Sequence, residues 1–238
     1  MSDSSKTPDV GPDVGPDTPS IAFADRVTRI APSPTVAISS LALDLRAAGR
    51  DVIGLAVGEP DFETPPHVKE AAIRAIHDGH TRYTQVDGIP ELKEAVAEKF
   101  RRENGLDVSA ANISVGTGGK QVLFNALMAT VQAGDEVIIP APYWVSFAGI
   151  TEVAGGTPVF LASGFADGLK LSPERLEAAI TPRSRWVIIN SPSNPTGMGY
   201  SADELRAFAD VIRRHPNLMV ISDDLYEHLT YDGFEFCT

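Results

Sequence analysis

The sequence predicts an α/β fold in which a parallel-rich β-sheet carries helices on both faces. Short continuous apolar runs at 136–139 and 186–189 are typical of strands that are buried on both sides. Along the chain these runs alternate with segments whose apolar residues recur at helical spacing, which is the order of βαβ units. Ligands of such sheets bind at the carboxyl ends of the strands. The segments that follow the strands therefore form the candidate site.

The N-terminal region is predicted to lie outside the sheet. Residues 1–20 repeat Pro-Asp-Val-Gly with almost no apolar side chains, which predicts a disordered acidic tail. Residues 21–64 are interpreted as an arm with one helix, whose apolar residues Ile38, Leu41 and Leu45 lie at helical spacing before Gly49. Two further helices are expected to begin at Pro66 and Pro90.

The region from residue 65 to residue 238 is predicted to hold the sheet. Apolar runs indicate strands, and apolar stripes with caps, including the Ser201–Glu204 capping box, indicate the helices between them. In chain order we predict a strand at 113–115, a helix at 121–132, a strand at 136–139, a helix at 143–153, a strand at 157–161, a helix after Ser172, a strand at 186–189, a helix after Ser201 and a strand at 218–221.

Composition excludes several classes of function. The formal net charge is −12 and the chain has no basic cluster, which argues against binding to nucleic acid or to an anionic membrane. No apolar run reaches the ~20 residues of a membrane span, and no signal peptide is recognisable, so we expect a cytoplasmic protein. The single cysteine, Cys237, permits no internal disulfide, and the histidines are not grouped like metal ligands.

A glycine-rich segment follows the first predicted strand. The segment Gly116-Thr-Gly-Gly-Lys-Gln121 leads directly into a helix, whose first N–H groups can bind an anion. Its spacing matches neither a P-loop nor a dinucleotide fingerprint. A phosphate cup and an ordinary glycine-rich turn both fit this segment.

Polar or aromatic residues follow three later strands. Trp144 could stack on a flat ring or serve as a core side chain, and the loop that holds Asn194 could orient its amide or form an ordinary turn. Asp223 directly follows an apolar strand, where a carboxylate needs a cationic or donor partner unless it is solvated. A phosphate cup, a flat aromatic, an amide, a carboxylate and the phenol of Tyr226 together suit pyridoxal 5'-phosphate.

The chain resembles the fold type I, class I aminotransferases, and within them the bacterial aspartate (aspartate/prephenate) aminotransferase branch. The resemblance extends from about residue 21 to residue 238. The motifs that carry it are Val57-Gly-Glu-Pro-Asp-Phe62, Tyr83, Gly118-Gly-Lys-Gln121, Ala141-Pro-Tyr-Trp-Val145, Asn190-Ser-Pro-Ser-Asn-Pro-Thr-Gly197 and Ser222-Asp-Asp-Leu-Tyr226.

The resemblance implies a role for each matching residue. Toward the cofactor it implies phosphate binding by Gly119 and Lys120, ring stacking by Trp144, contact with the ring hydroxyl by Asn194 and Tyr226, contact with the ring nitrogen by Asp223, and contact with the neighbouring subunit's phosphate by Tyr83. Toward the substrate it implies a backbone contact from Gly58, contacts from Trp144 and Asn194, and recognition of the distal carboxylate by Ser33, Thr35 and Lys120. It also implies a homodimer with shared active sites, and a small domain to which part of 21–64 belongs.

One family residue has no counterpart before residue 239. The lysine that bonds covalently to the cofactor is expected beyond Thr238, because none of the lysines follows Asp223: they are Lys6, Lys69, Lys93, Lys99, Lys120 and Lys170. We therefore expect an incomplete large domain, no catalytic residue in this chain, and no turnover by residues 1–238 alone.

Three functions stay open at this point. The first is an aminotransferase that moves an amino group between aspartate or glutamate and a 2-oxo acid. The second is a lyase or synthase that uses the same cofactor on the same fold. The third is a truncated chain without catalytic activity.

Overall fold

Four parallel strands form the centre of the molecule. The computed structural model describes residues 22–56 and 58–238, so the predicted tail lies outside the described residues. In the sheet the strand order is β2-β1-β3-β4. The strands are β1 (Glu136–Ala141), β2 (Thr157–Ala162), β3 (Ser184–Asn190) and β4 (Met219–Asp223). The predicted parallel sheet is confirmed.

Helices cover both faces of this sheet, as predicted. The long helices are α2 (Pro34–Ala47), α3 (Pro66–His77), α4 (Pro90–Lys99), α5 (Gly119–Thr130), α6 (Ser146–Val153), α7 (Pro173–Ala179) and α8 (Ala202–Ile212); α1 (Asp25–Thr28) is a single turn. A π-helical turn, Phe100–Asn104, continues α4, and short 3₁₀ turns lie at Ala110–Asn112 and Phe165–Asp167. Among these described helices, none has the length and apolar character that a membrane crossing requires.

Alternating side chains divide the core into two layers. Val137, Ile139 and Ile188 point to the face that α5 and α6 cover, where they pack with Leu127 and Phe147. The neighbouring residues of the same strands face the other layer, which α7 and α8 cover with Leu176, Phe208 and Val211. Because every strand residue in the middle of the sheet meets an apolar helix, the strands read as continuous apolar runs.

The sequence prediction differs from the structure at two places. The strand predicted at 113–115 is wrong: Ile113 is buried, but the segment pairs with no strand of the described chain, and Val115 N donates instead to Asp87 O at 2.9 Å. The helix predicted at 143–153 begins only at Ser146. At 113–115 the apolar pattern reports burial, whereas strand pairing depends on backbone partners that lie far away in sequence. Residues 143–145 form the non-helical entry to α6, with Val145 as its N-cap.

Helices α2 and α3, which precede the sheet, are uncovered. The predicted helix of the arm is present as α2, with Ser33 as its N-cap, yet neither α2 nor α3 contains a buried residue. Apolar side chains such as Leu41 and Ile73 are more than half exposed. Exposed apolar side chains grouped on a helix face are typical of a surface that binds another element.

A buried carboxylate joins the amino ends of β1 and β3. Glu136 accepts a hydrogen bond from the Thr181 hydroxyl at 2.6 Å and one from Arg183 Nε at 2.9 Å, and Ser184 Oγ lies 3.3 Å from Glu136 Oε2. The Thr181 bond, with help from Arg183 and Ser184, holds the pKa of the Glu136 carboxyl below its usual value against the opposing effect of burial. This group therefore stabilises the edge of the sheet opposite the candidate site.

Glu136→Gln is expected to lower the free energy of unfolding by about 1 kcal/mol at about pH 7, because the amide cannot pair with the guanidinium. The pKa of Glu136 is lower in the folded protein than in the unfolded chain. Its stabilisation is therefore present at neutral pH and is lost as the pH falls through the folded pKa. Urea unfolding of both proteins at about pH 7 and about pH 3 measures the difference, which should shrink in acid.

Glu177→Gln is the matched control, because Glu177 pairs with Arg214 on the surface. Its effect should stay below about 0.5 kcal/mol at either pH. A Glu136→Gln effect of the same size at both pH values would contradict the role given to the carboxylate.

Candidate active site

The site lies at the carboxyl edge of the sheet. From β1 the chain crosses to β2 on one side, whereas β3 and β4 lie on the other side, so the strand order reverses between β1 and β3. Open α/β sheets bind ligands in the crevice outside such a reversal point. Trp144 follows β1, Asn194 follows β3 and Asp223 ends β4.

The glycine-rich loop presents free donors at the start of α5. Gly118 is the N-cap with φ +82°, and an added Cβ at Gly118 or Gly119 would meet nothing within 4 Å. Within 22–56 and 58–238, the N–H groups of Gly119 and Lys120 have no hydrogen-bond acceptor. The loop therefore has the donors and the open space that a phosphate group needs.

Trp144 lies next to this loop. Its ring packs edge-on against Phe147 at 5.3 Å between centroids, and Lys120 Nζ lies 5.0 Å from the Trp144 ring. The tryptophan is half-buried, so it belongs to the core at one end and borders the site at the other. The structure thus brings together Lys120 and Trp144, two residues that the sequence pattern separates by a whole helix and strand.

A hydrogen-bonded network connects the ends of β3 and β4. Asn190 lies opposite Asp223 in the parallel register, and its Nδ2 donates to Asp223 O at 3.0 Å. Asn190 Oδ1 accepts from Asn194 N at 2.7 Å, and Asn194 Nδ2 lies 3.5 Å from the Tyr226 hydroxyl. The Asn194–Pro195 peptide is cis. The two residues predicted to share one ligand atom are therefore neighbours.

Asn190 is a residue whose role the sequence reasoning missed. It belongs to the motif that carries Asn194, but it was given no function of its own. Its amide fixes the Asn194 backbone on one side and the Asp223 backbone on the other. A polar residue that ends a buried strand was the available signal, because such a side chain must find partners.

The Asp223 carboxylate has few partners. Leu225 N donates to Oδ1 at 3.3 Å, and no lysine, arginine or histidine of the described chain pairs with it. Burial raises the pKa of the Asp223 carboxyl, the adjacent Asp224 raises it further, and the Leu225 bond opposes both. A half-buried acid at a cleft with a raised pKa is typical of a group that awaits a ligand.

The predicted substrate residues are only partly assembled. Ser33 and Lys120 line one open groove together with Tyr143, Val145 and Phe160. Thr35 is half-buried in the first turn of α2, and its side chain does not line this groove. Gly58 and Tyr83 are exposed, and neither lines the groove that Ser33 and Lys120 share.

The residues at the strand ends fit pyridoxal 5'-phosphate. Free N–H donors match a phosphate, the open side of Trp144 matches a flat ring, and the Asn194–Tyr226 pair matches a ring hydroxyl. The poorly partnered Asp223 matches a protonated ring nitrogen, which would supply the cation that this carboxylate lacks.

Sequence comparison assigns the chain to a known family. Residues 50–238 match the family model described as aminotransferase class I and II. The chain is a member of this aminotransferase family. Members of the family depend on pyridoxal phosphate, in agreement with the cofactor that the sequence pattern predicted.

Relatives in sequence and in structure agree with this assignment. The chain is 60% identical over 216 residues to an aspartate/prephenate aminotransferase of Cereibacter sphaeroides, which covers 91% of this chain and 54% of the relative. Crystallised aspartate aminotransferases match with TM-scores of 0.89 for Rhizobium meliloti, at 51% identity, and 0.87 for the Thermus thermophilus enzyme with maleate, at 47% identity. They cover 92% and 91% of this chain, and this chain covers 55% and 56% of theirs. The chain spans about half the length of the relatives that it matches.

Asp223→Asn is expected to raise the free energy of unfolding of the cofactor-free protein by about 1 kcal/mol at about pH 7, because it removes a half-buried charge. The folded pKa of Asp223 is raised, so the charged form costs stability above that pKa and the cost disappears as the pH falls below it. Thermal unfolding as a function of pH measures this difference.

The control is Asp232→Asn, since Asp232 is exposed and asparagine tolerates its positive φ of 56°. Unfolding of this control should match the parent protein at every pH. Loss of stability in Asp223→Asn would show that the carboxylate holds the fold and is not waiting for a ligand.

Proposed function

We propose that the complete protein is a pyridoxal-phosphate-dependent aminotransferase that moves an amino group between an acidic amino acid and a 2-oxo acid. The observation that carries this proposal is the Asp223 carboxylate, which has no cationic partner in the described chain and lies with the Asn194–Tyr226 pair at the reversal point of the sheet. Family membership and the names of the relatives support it.

Each side chain has a defined task in this proposal. Bound pyridoxal phosphate supplies an electron sink for negative charge at the α-carbon of the amino acid. Asp223 keeps a proton on the ring nitrogen through its negative charge, and Asn194 and Tyr226 donate to the ring hydroxyl oxygen. The Gly119 and Lys120 N–H groups bind the phosphate at the start of α5, and Trp144 limits the tilt of the ring.

The acidic substrate is supported by the groove beside the site. Lys120, which carries a positive charge, and Ser33 both line this open groove. The Thermus thermophilus relative was crystallised with maleate, a compound with two carboxylates. The distal carboxylate of such a substrate would pair with the Lys120 ammonium. Thr35 would also contact this carboxylate once another element covers α2.

We also propose a cytoplasmic homodimer with shared active sites. In support of the dimer, Tyr83 is fully exposed and α2 and α3 present uncovered apolar side chains. The proposed division of the chain, with the arm and part of the small domain at 21–64 and the cofactor domain at 65–238, is supported by the position of all four strands after residue 65.

A lyase or synthase on the same fold is the second candidate. It would use the same Asp223, Asn194 and Tyr226, so these residues do not separate the two functions. The presence of Lys120 and Ser33 in one groove favours transamination, because glutamate and 2-oxoglutarate both carry a distal carboxylate.

The direct test is an assay of the complete natural protein with aspartate and 2-oxoglutarate. Oxaloacetate and glutamate should form in equal amounts, and Asp223→Ala should abolish both. Product from aspartate without glutamate would favour a lyase. Residues 1–238 alone, treated with pyridoxal phosphate and then with borohydride, should show neither specific labelling of one lysine nor turnover. Labelling of one lysine together with turnover would contradict the position expected for the covalent lysine.

Lys120→Ala should reduce kcat/KM for aspartate relative to phenylalanine by at least about tenfold, because a charge-assisted bond of about 1.5–3 kcal/mol is lost. Steady-state kinetics with both amino acids measures the ratio. Lys69→Ala is the control, since Lys69 pairs with Glu63 on the surface. Equal losses for both substrates would mean that Lys120 serves only the phosphate.

Mixed dimers test the shared site. If Tyr83 acts in the neighbouring subunit, a dimer of one Tyr83→Ala chain and one Asp223→Ala chain has one intact site and one doubly defective site. An equal mixture of the two inactive proteins, unfolded and refolded together, should recover about a quarter of the parent activity. Activity no higher than that of either variant alone would exclude a shared site built from these two residues.

A further inference from the structure

A charged cluster joins α4 to the turn that follows β4. Glu227 lies directly after Tyr226, and its Oε1 forms a short ion pair with Lys99 Nζ. Glu227 Oε2 accepts from Asn104 Nδ2 at 2.8 Å. Lys99 and Asn104 are also bonded to each other, with 2.8 Å between Nζ and Oδ1. We use the name Glu227 clamp for the three residues Lys99, Asn104 and Glu227.

The π-helical turn brings the two N-terminal members of the clamp together. Bonds in a π-helix run from residue i to residue i+5, and Lys99 and Asn104 are five residues apart. The turn ends at Gly105, whose φ of +67° stops the helix. Such turns are often found at functional sites, where they orient a side chain that a regular α-helix would direct elsewhere.

The clamp is more protected from water than an ordinary surface ion pair. The side chains of Lys99 and Glu227 are 26% and 15% exposed. Burial raises the pKa of the Glu227 carboxyl, but the bonds from Lys99 and Asn104 outweigh it, so the pKa lies below its usual value. Glu227 is thus charged at neutral pH, and truncation of one partner would leave a partly buried charge unpaired.

The same cluster is not a ready metal site. Ligand atoms of Glu103, Glu227 and His228 lie within 4.8 Å of one another. The Lys99 ammonium is already bonded to Glu227 and lies 3.7 Å from Glu103 Oε2, so a metal ion would have to displace it. His228 Nε2 lies 3.5 Å from Glu103 and 3.6 Å from Glu227 at the exposed side. The geometry is that of a link between two segments.

The linked segment is the turn that carries Tyr226. Its own backbone bonds are short-range: Glu227 N donates to Asp224 O at 3.0 Å and Leu229 N donates to Tyr226 O at 2.8 Å. Asp224 also contacts Ser222 and Thr238. On the side of the candidate site, Asn194 Nδ2 lies 3.5 Å from the Tyr226 hydroxyl. A hydrogen bond of this length is weak and does not by itself fix the position of the phenol.

We infer that the Glu227 clamp is a positioning device for Tyr226: it holds the turn after β4 against α4, so that the phenol stays beside Asn194 at the place of the ring hydroxyl. Glu227 and Lys99 touch neither substrate nor cofactor and act through Tyr226. This inference rests on the proposed function, because the ring hydroxyl is a feature of the proposed cofactor.

The test compares two ligands that differ only in that hydroxyl. Calorimetry of the complete cofactor-free protein measures the affinity for pyridoxine 5'-phosphate and for its analogue without the ring hydroxyl. Glu227→Gln should weaken binding of the first by about tenfold and leave the second nearly unchanged. Lys99→Gln should behave alike, and Lys99→Arg should restore most of the affinity.

A double-mutant cycle separates positioning from general stability. In a Tyr226→Phe background, Glu227→Gln should cause no further loss of affinity, because the group that it positions is absent. Glu136→Gln is the matched control: it removes a carboxylate that pairs with an arginine at the opposite edge of the sheet, and it should leave both affinities unchanged. Thermal unfolding of each variant reports whether it folds, and Lys99→Gln replaces Glu227→Gln if the latter does not.

The outcomes distinguish the inference from the function on which it rests. Equal weakening of both ligands, or no weakening of either, would overturn the clamp and leave the proposed function intact. Additive losses in the Tyr226→Phe background would also overturn it. If the unmodified protein binds neither ligand, the proposed cofactor is wrong and the clamp has no role toward it.

Discussion

The parallel register between β3 and β4 is the constraint on which the site depends. It sets Asn190 opposite Asp223, and the Asn190 amide then fixes both the β4 backbone and the loop that carries Asn194. Because β1 lies on the other side of β3, Trp144 borders the same crevice. A slip of one residue would turn each strand's side chains to the opposite face and separate these groups. The apolar layers on both faces therefore fix the strand register that holds these residues at one edge of the sheet.

The carboxylates at the two edges of the sheet have pKa values that are shifted in opposite directions. At the amino edge Glu136 has three hydrogen-bond partners and a lowered pKa, so its charge stabilises the fold. At the carboxyl edge Asp223 has one backbone partner and a raised pKa, so its charge costs stability. A site that is built for a cation-bearing ligand must keep its carboxylate unsatisfied until that ligand binds. The same sheet thus carries a carboxylate that stabilises the fold at one edge and, at the other edge, a carboxylate that the proposed cofactor would partner.

Helices α2 and α3, which precede the sheet, are not packed like the helices that cover it. Helices α2 and α3 have the periodicity and caps of stable helices, yet they bury none of their residues within the described chain. Most helical stability in proteins comes from packing of an apolar face. Ser33, Thr35, Gly58 and Tyr83 all lie in or next to this region, which explains why only Ser33 reaches a groove shared with Lys120.

The sequence by itself determined the local features: the caps at Ser172 and Ser201, the strands centred on 137–139 and 187–189, and the motifs that identify the family. These follow from periodicity and from side chains that act within a few residues. Tertiary structure alone decided that 113–115 is not a strand, that Asn190 connects two strand ends, and that Lys99 meets Glu227. These features depend on contacts between residues far apart in the chain, and a pattern read along the chain contains no information about which distant donor and acceptor will meet.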